Sequence, residues 1–390
     1  MARKIYTGID IGTYHVKVVI ATPSESPEMP LSIIGVGTAS SKGMRHGYII
    51  DRAEAAKSIR EALGRASAAA KVQVKSARVG LGGVGLDEIR ASADISLTQS
   101  GGVVTEAMID RALKECEKRA GNNLINRTVI HAIPLEYRVD GVKSYGKPHG
   151  LQGTKLAVDA LLVTMLSQHQ EDLIDAIEAA GVEVEGVMAS PLAAALVTLT
   201  KAQKAAGVVL ANIGAETLSV AVFEEDAPIS IKVFPIGGSS ITESLALSFQ
   251  VPLTEAENLK RGGITGSNVP EKRMYTIIAA QLKEMYTLIN AHLKSIGRHR
   301  LLPAGIVITG GGSGLATSAE IARAVLKLPS QIGQIGNLPR TSSVDATWAV
   351  AYGLTRWAYA EDSSAVSSTL GDVLSGGWQQ LKQGLRGLLP

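Results

Sequence analysis

The chain has 390 residues, of which 45% are hydrophobic and 19% are charged, and this composition is typical of a globular protein with more than one core. Its formal net charge of +3 is the small difference between 39 basic and 36 acidic side chains, which argues against a nucleic-acid partner. A single cysteine excludes an internal disulfide, and no run of residues is apolar enough for a transmembrane helix. Because no apolar segment precedes the first strand, we expect no signal peptide and a cytoplasmic location.

The opening segment, GIDIGTYHVKVVI, predicts two strands (residues 5–11 and 14–21) joined by a tight turn, with Asp10 at the tip of the first strand. Strand-like and helix-like segments alternate after it, and this alternation indicates an α/β fold. The next segments are a strand at 32–41, a helix at 51–71 with Asp51 at its N-cap, and a buried strand at 76–83.

Residues 85–150 have a different pattern, with strand-like segments around a helix at 105–120, and they predict a small α+β insert. Cys116 lies on that helix, and no neighbouring residue could activate its thiol, so we interpret it as a structural side chain. The α/β pattern then resumes. Its segments are strands at 156–166 and 182–189 and helices at 168–180 and 191–204.

Residues 207–229 repeat the opening architecture about half a chain later. The turn Asn212–Thr217 of this repeat corresponds to the turn Asp10–Thr13 of the first unit. Any strand-turn-strand unit would share part of this likeness. A true duplication would give two related halves that face each other across a cleft.

The segment AGIVITGGGSGL (304–315) predicts an apolar strand, a triple-glycine turn and then a helix. Gly310, Gly311 and Gly312 would let the backbone approach a ligand, and the N–H groups at the start of the helix could bind it. The alternative is a tight connection between a strand and a helix. Three turns of suitable type, all at strand ends, favour a ligand site.

Residues 361–375 are rich in serine, lack large aromatic residues and predict a flexible linker. The segment 376–390 is amphipathic and too short to cross a bilayer, so it predicts an interfacial helix on an anionic membrane surface. The alternative is a helix docked on the protein's own core. The apolar stripe and the basic residues beside it are Trp378, Leu381, Lys382, Leu385, Arg386, Leu388 and Leu389.

Taken in order, DIGT, NIGAET and ITGGGSGL resemble the two phosphate loops and the adenosine loop of the actin, Hsp70 and sugar-kinase superfamily. SPLAAALVTL (190–199) and DATWAVAYGLTRWA (345–358) resemble its two connecting helices. HAIPLEYRVDG (131–141) and KPHGLQGTKLAVDALLVT (147–164) resemble the inserted 1C subdomain of the FtsA family of bacterial cell division. The resemblance implies an α/β, actin-like fold: two RNase-H-like domains around a nucleotide cleft, with an inserted 1C-type α+β subdomain.

The resemblance implies domain boundaries as well as ligands. The domains would be 1A (1–84 and 161–204), the 1C-like insert (85–160), 2A (205–240 and 304–360, with a closing helix), 2B (241–303), the linker (361–375) and the membrane-targeting helix (376–390). The ligands would be ATP and Mg²⁺, with the metal held through water by Asp10 and Asn212. The implied nucleotide-binding residues are Gly12, Thr13, Tyr14, Gly214, Ala215, Glu216, Thr217, Gly237, Gly238, Glu257, Lys260, Gly310, Gly311, Gly312 and Ser313.

Two positions depart from the pattern of active ATPases. Asn212 stands where the second phosphate loop usually carries Asp, and an amide adds no charge to hold a metal. Ser190 stands where Hsp70-type relatives carry the acid that orients the attacking water, and a hydroxyl is a poor base at neutral pH. We therefore expect tight nucleotide binding and, at most, a slow Mg-dependent ATPase, and we assign no catalytic residue.

The resemblance implies four partners for a protein on the cytoplasmic side of the membrane at the division site. They are the C-terminal peptide of FtsZ, other copies of the chain in a polymer, the anionic membrane, and later division proteins that bind the insert. The FtsZ peptide would dock on subdomain 2B at Lys283, Glu284 and Arg298. The alternatives are a PilM-like ATP-binding protein of type IV pilus assembly and a sugar or acetate kinase.

Overall fold

The computed structural model describes residues 4–24, 30–98, 101–263, 269–315, 317–336 and 344–366. Within these ranges the strands are β1 (Tyr6–Ile11), β2 (His15–Pro23), β3 (Leu31–Ser40), β4 (Met44–Arg45), β5 (Tyr48–Ile49), β6 (Ser76–Leu81), β7 (Asp87–Ser96), β8 (Arg127–Val139), β9 (Val142–Ser144), β10 (Lys155–Leu166), β11 (Glu183–Ala189), β12 (Val208–Ile213), β13 (Leu218–Glu224), β14 (Ala227–Phe234), β15 (Ile306–Thr309) and β16 (Ser330–Ile332). The helices are α1 (Arg52–Ala70), α2 (Glu106–Ala120), α3 (Ser167–Ala179), α4 (Ser190–Thr198), α5 (Lys201–Ala206), α6 (Gly238–Phe249), α7 (Leu253–Lys260), α8 (Glu271–Ser295), α9 (Ser318–Leu326) and α10 (Ala349–Val366).

Two five-stranded sheets with the same topology form the two halves of the molecule. The first half has the strand order β11-β6-β1-β2-β3, and the second has β16-β15-β12-β13-β14. In each sheet the central strand, β1 or β12, pairs antiparallel with the next strand and parallel with a later one. The predicted duplication is therefore confirmed at the level of strand order and direction.

The central hairpins of both sheets close with the same backbone hydrogen bond. The Gly12 N–H donates to the carbonyl of His15 over 3.2 Å, and the Gly214 N–H donates to the carbonyl of Thr217 over 2.8 Å. The first strands of both hairpins are almost wholly buried, as expected for a central strand covered on both faces. The two turns are thus equivalent positions at the ends of equivalent strands.

The insert is a separate antiparallel sheet of order β7-β10-β8-β9, with α2 packed on it. Its core contains Ile109, Leu113 and Cys116 from α2. Burial raises the pKa of the Cys116 thiol to about 11, so this side chain is protonated at neutral pH and serves as a core residue. Leu161 and Val163 carry β10 onward into the core of the first half, so the insert is continuous with that half.

Helices α4 and α10 pack against each other between the two sheets. Gly353 of α10 lies directly against the backbone of α4, where a Cβ atom at residue 353 would stand only 1.9 Å from the carbonyl oxygen of Ala193. Only glycine permits so close an approach of the two helices. The core around this contact also contains Leu210 and Val307 of the second sheet, so the helix pair joins the halves.

Three predicted elements differ from the structure. The predicted helix 191–204 is two helices, because Leu199 is extended and Thr200 starts α5 with a capping box to Gln203. The triple glycine is followed by a short 3₁₀ turn (Gly311–Gly314), so the next helix starts later than predicted.

The third difference is at the start of the predicted linker. Helix α10 continues to Val366, beyond the predicted end of the body at residue 360. Glu361 pairs with Arg78 over 2.8 Å and Asp362 with Lys4 over 2.8 Å, and these contacts hold the last turns of the helix on the first half. The predicted membrane segment, 376–390, lies outside the described residues. None of the helices within the described ranges has the length and apolar character that a membrane span requires.

Replacing Gly353 with Ala tests the contact between α4 and α10. We expect Gly353→Ala to destabilise the fold by about 2 kcal/mol, because the added methyl group must displace the Ala193 carbonyl. Gly64→Ala in α1 is the matched control, since nothing lies within 4 Å of a Cβ atom there and the helix should gain up to about 1 kcal/mol. Urea unfolding measures both changes, and equal stability of the two variants would contradict the prediction.

Candidate functional site

The first loop of the candidate site joins β1 to β2. An acidic residue lies near the end of β1, and a lysine lies opposite it on β2. Asp10 pairs in register with Lys17, and desolvation raises the pKa of the Asp10 carboxyl to about 6 although the Lys17 charge acts in the opposite direction. The Lys17 ammonium donates to the carbonyl of Thr347 over 2.5 Å and lies 5.5 Å from the centre of the Trp348 ring. Lys17 thus ties this loop to the start of α10.

The second loop, Gly214–Thr217, is held by the glycines at the start of α6. The Gly238 N–H donates to the carbonyl of Gly214 over 2.9 Å, and the Ser239 N–H donates to that of Ala215 over 2.7 Å. A Cβ atom at Gly237 would stand 2.5 Å from the Ala215 carbonyl oxygen, so glycine is required for this approach. The structure therefore brings together the second loop and the Gly237–Gly238 pair, as the predicted site needs.

Glu257 and Lys260 of α7 form an ion pair beside these glycines. The Lys260 ammonium lies 2.5 Å from a Glu257 carboxylate oxygen and also donates to the Gly238 carbonyl over 3.0 Å. The side chains are only 12% (Lys260) and 21% (Glu257) exposed, so this is a partly buried pair and not a solvated surface pair. Burial would raise the pKa of Glu257, but hydrogen bonds from Lys260 and Thr242 outweigh it and lower that pKa.

The third loop, Gly310–Ser313, packs on the end of β12. Asn212 pairs in register with Thr309, and a Cβ atom at Gly310 would stand 2.3 Å from the Asn212 side-chain oxygen. A Cβ atom at Gly312 would meet the Ile213 side chain at 2.4 Å. Two of the three glycines are therefore required for packing on β12, whereas Gly311 has open space around it.

Two contacts join loops of opposite halves across the cleft. The Glu216 carboxylate accepts a hydrogen bond of 2.5 Å from the backbone N–H of His46, in the turn between β4 and β5. The Arg261 guanidinium lies 5.2 Å from the centre of the Tyr14 ring and also donates to Glu257 over 2.8 Å. Together these contacts connect the first and second predicted phosphate loops with the opposite half.

His131 of the insert reaches the start of α4. Its Nε2 atom accepts a hydrogen bond of 3.1 Å from the backbone N–H of Ala189, the residue before Ser190. The imidazole is buried, and burial lowers its pKa to about 3, so it is neutral at pH 7 and able to accept. Ser190 is also buried, with its hydroxyl against Gly80.

The predicted partner-binding residues do not form one cluster. Lys283 and Glu284 are exposed in the middle of α8. Arg298 lies beyond the end of α8 and is held by Glu224, to which its guanidinium donates over 2.6 and 3.0 Å. It follows that Arg298 is already paired in this structure, whereas the two helix residues face solvent.

Four residues of the site are not among those predicted from the sequence: Lys17, His46, Arg261 and His131. Lys17 could have been found, because a tight hairpin turn places it opposite Asp10. Arg261 could have been found beside the predicted Lys260, one position further along the chain. The contacts of His46 and His131 join segments that are 170 and 58 residues apart, and no local pattern signals them.

The chain has two sheets of the same topology, three glycine turns at strand ends and two helices packed between the sheets. This arrangement defines the actin-like class of α/β proteins, so the predicted fold class is confirmed. Two family profiles match the chain: "Cell division protein FtsA" over residues 209–353, and "SHS2 domain inserted in FTSA" over residues 85–164. The chain belongs to the FtsA family.

Similar proteins in several bacteria carry the description "Cell division protein FtsA". The protein of Streptococcus pneumoniae is 30% identical over 362 residues, which cover 85% of this chain and 78% of that protein. The protein of Escherichia coli K12 is 27% identical over 360 residues, which cover 85% and 84%.

Solved structures show the same fold at lower identity. The PilM-PilN type IV pilus biogenesis complex has a TM-score of 0.67 at 20% identity, covering 91% of this chain and 98% of that chain. MreB5 of Spiroplasma citri bound to AMPPNP has a TM-score of 0.55 at 11% identity, covering 94% and 99%.

The buried imidazole of His131 predicts a pH dependence of stability. Its pKa falls from an ordinary 6.5 to about 3 in the folded chain, so between these values the unfolded chain binds a proton that the folded chain does not. Its contribution to the free energy of unfolding is therefore complete above pH 6.5 and falls by about 1.4 kcal/mol per pH unit as the pH is lowered.

We expect His131→Gln to remove this part of the slope, because the amide oxygen still accepts from Ala189 but does not titrate. Urea unfolding between pH 7 and pH 5 measures the slope. His149→Gln, at an exposed position of the insert, is the control and should leave the slope as in the parent chain. An unchanged slope in His131→Gln would contradict the assignment.

Proposed function

We propose that this chain binds ATP with Mg²⁺ in the cleft, polymerises, and anchors FtsZ to the cytoplasmic membrane at the division site. The observation that carries the proposal is the pair of equivalent glycine turns, one from each half, with a lysine beside each. Later division proteins would bind the insert, which has its own sheet and core.

The residues present fit a triphosphate. The backbone N–H groups of Thr13, Tyr14, Ala215 and Glu216 donate to no group in the described parts of the chain, although each belongs to a turn at a strand end. Such N–H groups bind phosphate oxygens, and the ammonium of Lys17 adds positive charge next to the first turn. When bound, the nucleotide supplies the anion that these groups are placed to neutralise.

The metal site would be shared between protein and nucleotide. Asp10 and Asn212 are the candidate residues, and among the described residues no group of three or more His, Cys, Asp or Glu could hold a metal ion. Mg²⁺ keeps several of its waters and binds one or two carboxylates together with phosphate oxygens. The carboxylate of Asp10 fits that chemistry, and the amide of Asn212 would orient water without adding charge.

Hydrolysis would be slow, and the nucleotide would act mainly as a link between the halves. The Ser190 hydroxyl is a poor base at neutral pH, and it stands against Gly80 at the start of α4. A bound triphosphate would contact turns of both halves at once. It would therefore stabilise the closed arrangement in which Glu216 meets His46.

The metal proposal predicts a conditional effect of Asp10→Ala. We expect this change to weaken ATP binding about tenfold in Mg²⁺, because the carboxylate orients metal-bound water. In EDTA the variant and the parent chain should bind ATP almost equally. Isothermal titration calorimetry measures both conditions.

Asp94→Ala, in the insert, is the matched control and should bind ATP as the parent chain does. Equal weakening of Asp10→Ala with and without Mg²⁺ would contradict the metal role. Failure of the parent chain to bind ATP at all would overturn the nucleotide proposal.

The surface proposed for the FtsZ peptide is the exposed side of α8. Lys283 offers a positive charge to an acidic peptide, and Glu284 lies beside it. Further toward the start of α8, a groove of about 600 Å³ is lined by residues of α8 and α9, including Tyr275, Thr276 and Ile321. A peptide could place apolar side chains in this groove and acidic ones near Lys283.

Membrane attachment is proposed for residues 376–390. The stripe of Trp378 and four leucines suits the acyl boundary, and Lys382 and Arg386 would each add about 1 kcal/mol at an anionic surface. One such helix binds weakly, so several copies in a polymer would act together through their high effective concentration. Polymerisation and anchoring would therefore depend on each other.

Recruitment of FtsZ to vesicles tests the whole proposal. With ATP, Mg²⁺ and vesicles containing anionic lipid, we expect the chain to carry labelled FtsZ into the sedimented fraction. Leu385→Glu should abolish sedimentation of both proteins, because it places a charge in the apolar stripe. Lys283→Glu should leave the chain on the vesicles and reduce its FtsZ at least about fivefold, because the charge facing the acidic peptide is reversed.

One control variant and one further test accompany this experiment. Gln383→Glu, the control, changes charge on the polar side of the tail and should retain most sedimentation. Lys272→Glu reverses a charge that lines the groove and should reduce the FtsZ carried to the vesicles. ATP and vesicle binding without any recruitment of FtsZ would overturn the FtsZ proposal and favour the PilM-like alternative.

A further inference from the structure

The insert contacts the second half through a partly buried hydrogen-bonded bridge. The Glu88 carboxylate of β7 accepts from the Ser230 hydroxyl over 2.8 Å and from the Ile231 backbone N–H over 2.5 Å. Among the strands that the structure describes, β14 pairs only with β13 and is an edge strand, so its outer N–H groups need other acceptors. Glu88 satisfies one of these groups without joining the two sheets into one.

Two further contacts flank this bridge. Lys232 of β14 pairs with Asp87 over 3.1 Å, and Arg90 donates to the carbonyl of Ile229 over 2.7 Å. The contacts follow β7 from residue 87 to residue 90 and β14 from residue 229 to residue 232. The two strands are therefore held at several points along their edges, which resists sliding of one past the other.

The Ser230 hydroxyl extends the bridge to α8. Ser230 is fully buried, and its oxygen also lies 2.8 Å from the Nε2 atom of His292. A hydroxyl has one proton, so if it donates to the ionised Glu88 it must accept from a protonated Nε2 atom of a neutral His292. One serine thus joins the insert, the second sheet and the helix that carries Lys283.

The same strands lead to the second phosphate loop. β14 is paired with β13 along its length, and Leu218, the first residue of β13, directly follows the loop Gly214–Thr217. A shift of β14 would therefore move the anchored end of that loop. On its other side, the insert is held by β10, which continues into the core of the first half. The insert can therefore follow a shift of β14 only by a tilt of its own sheet.

We propose that the Glu88–Ser230–His292 bridge couples the insert to the second phosphate loop, so that nucleotide in the cleft and a partner on the insert control each other. The coupling rests on the proposed nucleotide binding, and by linkage it is reciprocal. A partner that tilts the insert pulls on β14, and a nucleotide that fixes the loop fixes the tilt of the insert.

Distance measurement between two spin labels tests the bridge in the full chain. Tyr145 at the tip of the insert is 93% exposed and Leu247 on α6 is 82% exposed, so Tyr145→Cys and Leu247→Cys give accessible labelling sites. The native Cys116 is buried and should not react. Double electron–electron resonance should show a narrow distance distribution that shifts when AMPPNP is added.

Adding Glu88→Ala should broaden this distribution, abolish the shift, and weaken nucleotide binding about fivefold. Asp94→Ala on the same strand breaks only contacts inside the insert, to Arg119 and Lys155, and should behave as the parent does. Ser230→Ala keeps the Ile231 contact of Glu88 and should give a smaller broadening, which preserves the test if Glu88→Ala does not fold.

The proposal would be overturned if both Glu88→Ala and Ser230→Ala gave a narrow distribution of the distance between the labels that still shifts when AMPPNP is added. Failure of nucleotide binding itself has a different signature, because calorimetry would then detect no AMPPNP binding to the parent chain. A parent chain that binds AMPPNP without any shift of the distance would overturn the coupling to nucleotide. Broadening in Glu88→Ala without nucleotide would still show that the bridge holds the insert.

Discussion

The backbone contact between α4 and α10 fixes how the two halves of the molecule can be arranged. Gly353 brings the helices so close that they cannot slide past each other without separating, so we expect any movement of the halves to be a rotation about this contact. The cleft loops lie at the ends of β1 and β12, and Lys17 ties the first of them to the residues before α10. A rotation at the helices would therefore change the distance between the turns.

Polar contacts also join the halves, both at the cleft and at the insert. Glu216 with His46 and Arg261 with Tyr14 join the loops at the cleft. The bridge from Glu88 joins the insert to the outer edge of the second sheet. Because hydrogen bonds and ring contacts are directional, such a set defines one closed arrangement more sharply than apolar packing would. Within the described parts of the chain these polar contacts are few, so only a small number of them must break before the loops of the two halves separate.

Local patterns in the sequence were sufficient to predict the two hairpins, their glycine turns and the α/β class. These features depend on alternating apolar residues and on turn residues, which act over a few positions. The division of the predicted helix 191–204 was also readable, since Thr200 and Gln203 have the spacing of a capping box. The continuous apolar run before Thr200 obscures this signal, because it extends the helical pattern up to the capping box.

The remaining features arise only when separate elements pack together. The acceptor of the Ala189 N–H is a histidine 58 residues away, and the carboxylate that binds Ser230 is 142 residues away. Nothing near His131 or Glu88 in the chain distinguishes them from ordinary strand residues. Their roles follow from which strand edges meet, and strand order across an insert is not encoded by periodicity.

The end of α10 has a mechanical consequence. Its last turns are held to the first half by the Glu361–Arg78 and Asp362–Lys4 pairs, and Trp357 stacks on the Arg78 guanidinium with 5.1 Å between ring centre and charge. A force applied to the chain beyond Val366 would therefore act on the first half, through Arg78 of β6 and through Lys4 before β1. The load path does not cross the cleft, so tension on that end would leave the opening of the cleft largely unchanged.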